Sequence, residues 1–235
     1  MKRLAFILLF LPAGAKSQTA PVHVEDVALP PEAMHRLLSD SSVTFTMVPR
    51  ANEADAFEIW LGPDGKGEYR LTKGEHAPQA IKVSQAVWQT VEGGQNAANS
   101  QRCETKLKNI AKTGKKTISY VLGPSTPVMC EFDYTDDKEL SAAVIAFEGI
   151  AETIRMGELL KHNLRYDRLG LDVDMDALVD EVKSGAAIEV QNIAPMLQLL
   201  VDDDRVMERV KRKAAHLLEG AGIAVKDYPA ETSAR

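Results

Sequence analysis

The sequence of 235 residues lacks most of the features that would assign it to a specialised class of protein. Its two cysteines are too few for a disulfide-rich mini-protein or for a four-cysteine zinc site. It has no apolar run of about 18 residues or more, so no transmembrane segment is predicted once a signal peptide has been removed. A formal net charge of −6 argues against a nucleic-acid partner, because general binders of the phosphate backbone carry excess cations.

Catalytic signatures are missing as well. The chain contains no GxSxG nucleophile elbow, no SxxK pair, no HExxH motif, no P-loop and no GxGxxG loop. No two of its histidines have HxH or HxxxH spacing; they are His23, His35, His76, His162 and His216. The sequence therefore predicts no cofactor and no metal site. Its hydrophobic content of 45% and charged content of 26% are ordinary for a globular protein.

Residues 1–20 have the pattern of a secretory signal peptide followed by a short leader. A basic start precedes an apolar core at 4–11, and Ala13 and Ala15 supply small residues at the two positions that a signal peptidase reads. We expect cleavage after Ala15 and a mature protein that is secreted or periplasmic. The alternative cleavage sites follow Ser17 and Ala20.

Cys103 and Cys130 are predicted to form a disulfide, because an exported protein folds in an oxidising compartment. Two free thiols and half of a metal site are the alternatives, but no histidine or further cysteine has ligand spacing beside either residue. The bond would contribute about 3 kcal/mol by the chain-entropy estimate. We expect its role to be structural, since redox-active pairs usually have CxxC spacing.

Residues 21–135 predict an α+β domain, in which helices pack against a small antiparallel sheet. Stretches where apolar and polar residues alternate indicate strands, and the glycine and proline content of 62–67 indicates a hairpin turn. The predicted strands are 43–48, 57–61, 68–71, 117–122 and 128–134. The predicted short helices are 30–38 and 84–91.

A further helix is predicted over 99–112, and its sequence is rich in cations. Arg102, Lys106 and Lys108 form a candidate contact surface for an anionic ligand on this helix. The alternative interpretation is a solvated helix face whose lysines lie near the helix C-terminus, where the helix dipole favours positive charge.

Residues 136–220 predict an all-helical region, followed by a polar tail at 221–235. Asp136 and Glu139 have capping-box spacing, and apolar residues at steps of three and four continue over 140–164. A helix of about 30 residues is about 45 Å long, so we expect it to join the sheet to the helical region. The helices that follow are predicted over 175–183, 190–201 and 204–219.

The apolar residues of 194–200, the acids of 202–204 and the apolar residues of 206–218 resemble one HEAT-type helical hairpin. No second copy occurs at a period of about 40 residues. A solenoid needs about three such units to bury its faces, so a single helical hairpin is predicted.

Two acidic clusters have structural interpretations. The alternating acids of 172–176 resemble the start of an EF-hand loop, but Ala177 and Lys183 stand where that loop needs glycine and glutamate. We therefore interpret these acids as helix-capping residues, and those of 202–204 as residues at the N-terminus of the last helix, where the dipole favours negative charge.

Charged and aromatic residues are packed together at the end of the long predicted helix. Arg165, Tyr166 and Arg168 are expected to take part in ion pairs that hold the fold, and they also form the second candidate contact surface. Nearby, His162 is interpreted as a helix C-terminal partner of Glu158.

Two functions remain compatible with these patterns. The first is a non-catalytic binding or structural module of the cell envelope or extracellular space, with a protein partner there. The alternative is a secreted or periplasmic hydrolase whose site forms only in three dimensions, from among His76, His162, Asp133 and Asp167. Two of these groups within about 3–5 Å of each other in a deep pocket would favour the enzyme.

Overall fold

A computed structural model describes residues 41–49, 55–74, 76–100, 102–105, 114–122 and 127–225. It combines an antiparallel sheet with packed helices, which confirms the predicted α+β fold. The predicted signal peptide, the predicted helix over 30–38, Lys106 and Lys108 lie outside the described residues. Within the described ranges, no helix combines the length and the hydropathy needed to cross a membrane.

The sheet has the strand order β4-β3-β2-β1-β5-β6, and every neighbouring pair is antiparallel. Its strands are β1 (Ser41–Pro49), β2 (Phe57–Leu61), β3 (Lys66–Leu71), β4 (Gln79–Lys82), β5 (Gly114–Leu122) and β6 (Val128–Phe132). The predicted strands are confirmed, whereas β4 was not predicted. Its four residues give too short an alternation to be distinguished from a loop.

The helix α3 (Lys138–Tyr166) confirms the long predicted helix and lies across one face of the sheet. Phe45 of β1 stacks on Phe147 of α3 with ring centroids 4.9 Å apart. Further along α3, Met156 and Leu160 belong to a second buried cluster, which lies among the helices. Because one continuous helix of 29 residues contributes to both clusters, it joins the sheet to the helical part.

The N-terminus of α3 differs from the prediction by one residue. Asp137, not Asp136, is the N-cap, and its side chain accepts hydrogen bonds of 3.1 Å from the backbone N–H groups of Glu139 and Leu140. Asp136 forms hydrogen bonds with Thr105 instead. Its carboxylate accepts one from the Thr105 hydroxyl, and its backbone N–H donates one to the oxygen of the same hydroxyl.

The predicted helix over 99–112 is wrong in its described part. A short helix, α2 (Gln95–Asn99), ends where the prediction begins, and residues 102–105 are not helical. Contacts distant in sequence hold this segment: Cys103 is bonded to Cys130, and the Thr105 N–H donates to the Tyr134 carbonyl at 3.0 Å. Local helix propensity was overridden by these tertiary contacts.

The disulfide is confirmed, with the Cα atoms of Cys103 and Cys130 5.4 Å apart. Cys130 lies on the edge strand β6 and is buried. The bond therefore ties the irregular segment 102–105 to the sheet, not the basic helix that the sequence predicts.

Of the remaining helices, α1 (Gln85–Gly93) is capped by the Ser84 hydroxyl, as the prediction over 84–91 implies. The helical part continues with α4 (Leu171–Ser184), a 3-10 turn (Val190–Ile193), α5 (Ala194–Asp202) and α6 (Glu208–Gly220). The three shorter helices predicted there are confirmed, but their starts are shifted. The acids of 172–176 lie inside α4, and those of 202–204 precede α6 by several residues.

The segment that leads into α5 holds the helical part against the edge strand β4. Asn192 Oδ1 accepts a hydrogen bond from the Lys82 N–H at 2.7 Å, and Gln191 Nε2 donates to the Lys82 carbonyl at 3.1 Å. The Glu189 carboxylate accepts two hydrogen bonds from Ser84, one from the backbone N–H at 3.0 Å and one from the side-chain hydroxyl at 2.6 Å. Side chains thus satisfy edge-strand backbone groups that would otherwise invite pairing with another chain.

Candidate functional site

The two candidate contact surfaces lie at opposite ends of α3. Arg102 is exposed and lies 3.7 Å from the carboxylate of the N-cap Asp137, so it balances the acid at the start of the helix. Arg165 and Arg168 lie at the other end, 29 residues of helix away, which is about 43 Å. The two surfaces therefore cannot contact one small ligand, and only the second is fully within the described residues.

The second surface consists of the last turn of α3 and the turn that leads into α4. Arg165 places its guanidinium 5.2 Å from the centre of the Tyr166 ring, in cation–π geometry. The His162 ring also packs against the Tyr166 ring, with their centroids 4.8 Å apart. Glu158, the predicted partner of His162, forms an ion pair with Lys161 at 3.1 Å.

Three large apolar side chains are exposed at this end of the molecule. Tyr166 is 66% exposed, Leu169 is 81% exposed and Val173 is 71% exposed. They come from the end of α3, from the turn and from the first turn of α4. We call Arg165, Tyr166, Arg168, Leu169 and Val173 the α3-end surface. Apolar groups concentrated beside arginine and tyrosine are typical of protein contact sites.

Beside the α3-end surface, an open groove of about 460 Å³ lies between α3 and α5. Leu164 and Leu199 supply its apolar surface, and Leu199 is 56% exposed. Its charged residues are four cations and two carboxylates, namely Lys161, Arg165, Arg168, Arg205, Asp202 and Asp203. We call this site the α3–α5 groove.

Ion pairs inside the groove fix the positions of two of its arginines, Arg168 and Arg205. Asp203 accepts two hydrogen bonds of 2.9 Å from the Arg205 guanidinium, and Arg168 lies 3.8 Å away. The hydrogen bonds from Arg205 hold the pKa of Asp203 well below its usual range. The Arg168 Nε donates to the Leu164 carbonyl at 3.0 Å, which keeps this side chain along the groove. Among the described residues, no carboxylate pairs with Arg165.

The groove continues toward the sheet as a narrower cavity of about 260 Å³, which shares Lys161 and Leu199 with it. Gly157 of α3 lies in this part, where a Cβ atom would be only 2.5 Å from Ile193 Cγ2. The absence of a side chain at 157 therefore sets how closely the 3-10 turn and the start of α5 approach α3.

The structure does not assemble a catalytic group from the four residues considered for a hydrolase. His76 is exposed before β4, and Asp133 follows β6. Asp167 is exposed and its carboxylate accepts from the Gly170 N–H at 3.1 Å, as a capping residue would. His162 is exposed on α3 and contacts Tyr166. None of the four lines the two grooves beside α5.

The acids of 172–176 pair with other helices instead of capping α4. Asp172 accepts from Lys213 and Arg209 of α6, each at 2.9 Å, and Asp176 lies 2.6 Å from Lys213. The Lys213 hydrogen bond, with smaller contributions from the charges of both cations, lowers the pKa of Asp172. Among the described residues, no group of three or more histidine, cysteine or acidic side chains is arranged to hold a metal ion.

Several residues of the site could not be recognised from the sequence. Leu199 belongs to a run of apolar residues whose members are mostly buried. Lys161 is one of several cations spaced along the long helix, and Arg205 directly follows three acids. Leu169 and Val173 adjoin the predicted cluster at Arg165, and their exposure depends on how α4 packs. Proximity to that cluster was the only signal for them.

A scan of the chain against models of protein families finds no match, and a search of curated proteins finds none either. The assignment of a function to this site therefore depends on its geometry, its exposure and its charge.

Proposed function

We propose that the protein is an exported, non-catalytic binding module of the cell envelope or extracellular space, and that it contacts a protein partner through the α3-end surface. The observation that carries the proposal is the exposure of Tyr166, Leu169 and Val173, which follow Arg165 in one short segment at the end of α3 and the start of α4. Burying apolar surface contributes about 25 cal/mol per Å², so covering these exposed side chains with a partner would contribute favourably to the free energy of binding.

The ordering of the charged residues supports the same proposal. Arg168 is held by Asp203 and by the Leu164 carbonyl, so it does not have to be ordered when a partner binds. Arg165 is held over the Tyr166 ring. Tyrosine and arginine are the residue types that most often dominate the binding energy of protein interfaces.

Export and a partner in the envelope are supported by two sequence features. One is the signal-peptide pattern of residues 1–20, and the other is the cysteine pair, which the structure brings to bonding distance. The α3-end surface also lies in a part of the chain that is acidic overall. Residues 131–235 carry 22 acids and 13 bases, yet four of those bases line one groove.

The test is capture of the partner from an envelope extract at low salt by the mature, tagged protein. The site variant Arg165→Glu/Tyr166→Ala/Leu169→Ala removes one cation and two apolar contacts. A matched control, Lys183→Glu/Met129→Ala/Ile145→Ala, makes equivalent changes at residues exposed elsewhere.

We expect wild type and control to retain the same partner, and the site variant to lose at least about tenfold in affinity, as removal of one hot-spot residue does. Equal retention by the site variant would show that another surface binds. Turnover of an ester, peptide or glycoside substrate that is abolished by changing His76 or His162 would overturn the non-catalytic assignment.

A further inference from the structure

The α3–α5 groove has walls of two helices that run in the same direction. Its end near the sheet is lined by Ile154 and Gly157 of α3 with Met196 of α5. Its far end is lined by Leu164 and Arg165 of α3 with Asp202 of α5. Residue numbers thus rise together along both walls. The wall formed by α5 is nine residues long, which is about 14 Å or two and a half helical turns.

Helical walls favour a helical occupant over an extended one. An extended peptide binds through main-chain hydrogen bonds to an open strand edge, but the backbone groups inside α3 and α5 are already bonded within their own helices. Side chains on the walls instead form ridges at steps of three and four residues, into which the ridges of a third helix pack. Leu164 and Leu199 provide the apolar contact that such a helix needs along one face.

The charged residues that line the groove favour a negatively charged occupant. Arg165 lies in the last turn of α3, Arg168 lies in the turn that follows, and Lys161 lies one helical turn before Arg165. Of the two groove carboxylates, Asp203 is already shared by Arg168 and Arg205, and Asp202 accepts a hydrogen bond from the Gln198 side chain. Lys161 is paired with Glu158. An occupant with carboxylates on its flank would meet cations, above all Arg165, whereas a basic one would meet them as like charges.

We propose that the α3–α5 groove binds an acidic amphipathic helix of the partner, with its apolar face on Leu164 and Leu199 and its carboxylates beside Arg165 and Arg168. This inference rests on the proposed function and names the class of partner that the surface takes. The exposed Tyr166 of the α3-end surface adjoins the far end of the groove, so one helix contacts both.

The test uses two fluorescent peptides of about 20 residues, a length at which isolated helices begin to form in water. Both peptides carry leucine at positions one, four and five of each seven-residue repeat. The flanking positions carry glutamate in one peptide and lysine in the other. Binding to the full mature protein is measured by fluorescence anisotropy at low salt. The variants are Arg165→Glu/Arg168→Glu, Leu199→Ala and a charge-matched control, Lys138→Glu/Lys183→Glu, whose residues are exposed and outside the groove.

We expect the wild type and the control to bind the glutamate peptide at least about tenfold more tightly than the lysine peptide, and Arg165→Glu/Arg168→Glu to reverse this preference. Leu199→Ala should weaken binding of the glutamate peptide about fivefold while circular dichroism remains that of the wild type. Because Leu199 is exposed, this variant is expected to fold.

Equal affinity for the two peptides, a preference that survives the double arginine variant, or no saturable binding below about 1 mM would overturn the inference. These outcomes are distinguishable from failure of the proposed function. If a captured partner is lost on changing Arg165, Tyr166 and Leu169 while neither peptide binds, the contact surface stands and the helical mode is wrong. If both experiments fail, the surface itself is wrong.

Discussion

Substitution of Gly157 by alanine is expected to destabilise the protein, although the same change in an open helix stabilises it. An added Cβ would lie 2.5 Å from Ile193 Cγ2 and 3.1 Å from Ile193 Cβ. Ile193 is buried and β-branched, so its side chain has little freedom to move away. The 3-10 turn that carries Ile193 would have to shift away from α3 instead.

The expected magnitude follows from two opposing effects. Replacing glycine by alanine within a helix stabilises it by about 1 kcal/mol. Forcing one extra carbon into a packed contact costs about 1–3 kcal/mol, and the short distance to a stiff side chain places Gly157→Ala toward the upper end. We therefore expect a net loss of about 1–2 kcal/mol in the free energy of unfolding, or a fall in Tm of about 2–8 °C for a domain of this size.

The chain offers a matched control in Gly93, which is the last residue of α1 and has open space where an added Cβ would lie. Gly93→Ala is expected to be neutral or to stabilise by up to about 1 kcal/mol. Urea unfolding of both variants, and of Gly157→Ala combined with Ile193→Ala, measures the effect. The double variant should show favourable coupling of about 1 kcal/mol or more, because the methyl groups that clash are gone. If Gly157→Ala is as stable as Gly93→Ala, the close contact between α3 and the 3-10 turn does not exist.

Three further outcomes are expected. Cys103→Ser should lower the free energy of unfolding by about 3 kcal/mol under oxidising conditions, and an unchanged urea midpoint would contradict a structural bond. Burial, and then the neighbouring Glu152, raise the pKa of Glu181, so the stabilisation from its protonated form is present below the unfolded pKa and is lost as the pH rises. Urea unfolding at about pH 4 and about pH 7 should show that the free energy of unfolding falls less with rising pH for Glu181→Gln than for wild type. An equal fall in both proteins would refute this. Intact-mass analysis of the exported protein should give a chain that begins near Lys16, and retention of residues 1–15 would contradict the signal peptide.

The sheet and the long helix were predictable because their signals are local. The alternation in β1 reflects one face packed on the core, and the stripe along α3 reflects a face that packs on two clusters in succession. The pairing of Cys103 with Cys130 followed from counting cysteines and from the expected compartment. These inferences need no knowledge of how distant segments meet.

The errors occurred where a distant contact decides the local structure. Residues 102–105 carry a helical composition, but the bond at Cys103 and the hydrogen bonds of Thr105 hold them in an irregular conformation. Thr105 also donates a hydrogen bond to the Asp136 carboxylate, so Asp137 serves as the N-cap of α3 instead. None of these partners can be identified from spacing along the chain.

The candidate site was predictable in part for the same reason. Arg165, Tyr166 and Arg168 are adjacent in sequence, so their cluster is visible without the fold. The groove depends on α5 lying beside α3, and this placement is set by Gly157 and by the hydrogen bonds that Asn192 accepts from β4. Leu199 is an ordinary apolar helix residue until that packing leaves it exposed.

Hydrogen–deuterium exchange of the complex with the captured partner tests the central claim most directly, because it reports which backbone amides the partner protects. The account predicts added protection at 161–173 and 195–205, with exchange of the sheet strands unchanged. The charge-matched control variant should give the same pattern. Protection confined to the sheet or to the start of α3 near Arg102, with no change at 161–173, would contradict the assignment of the α3-end surface as the binding site.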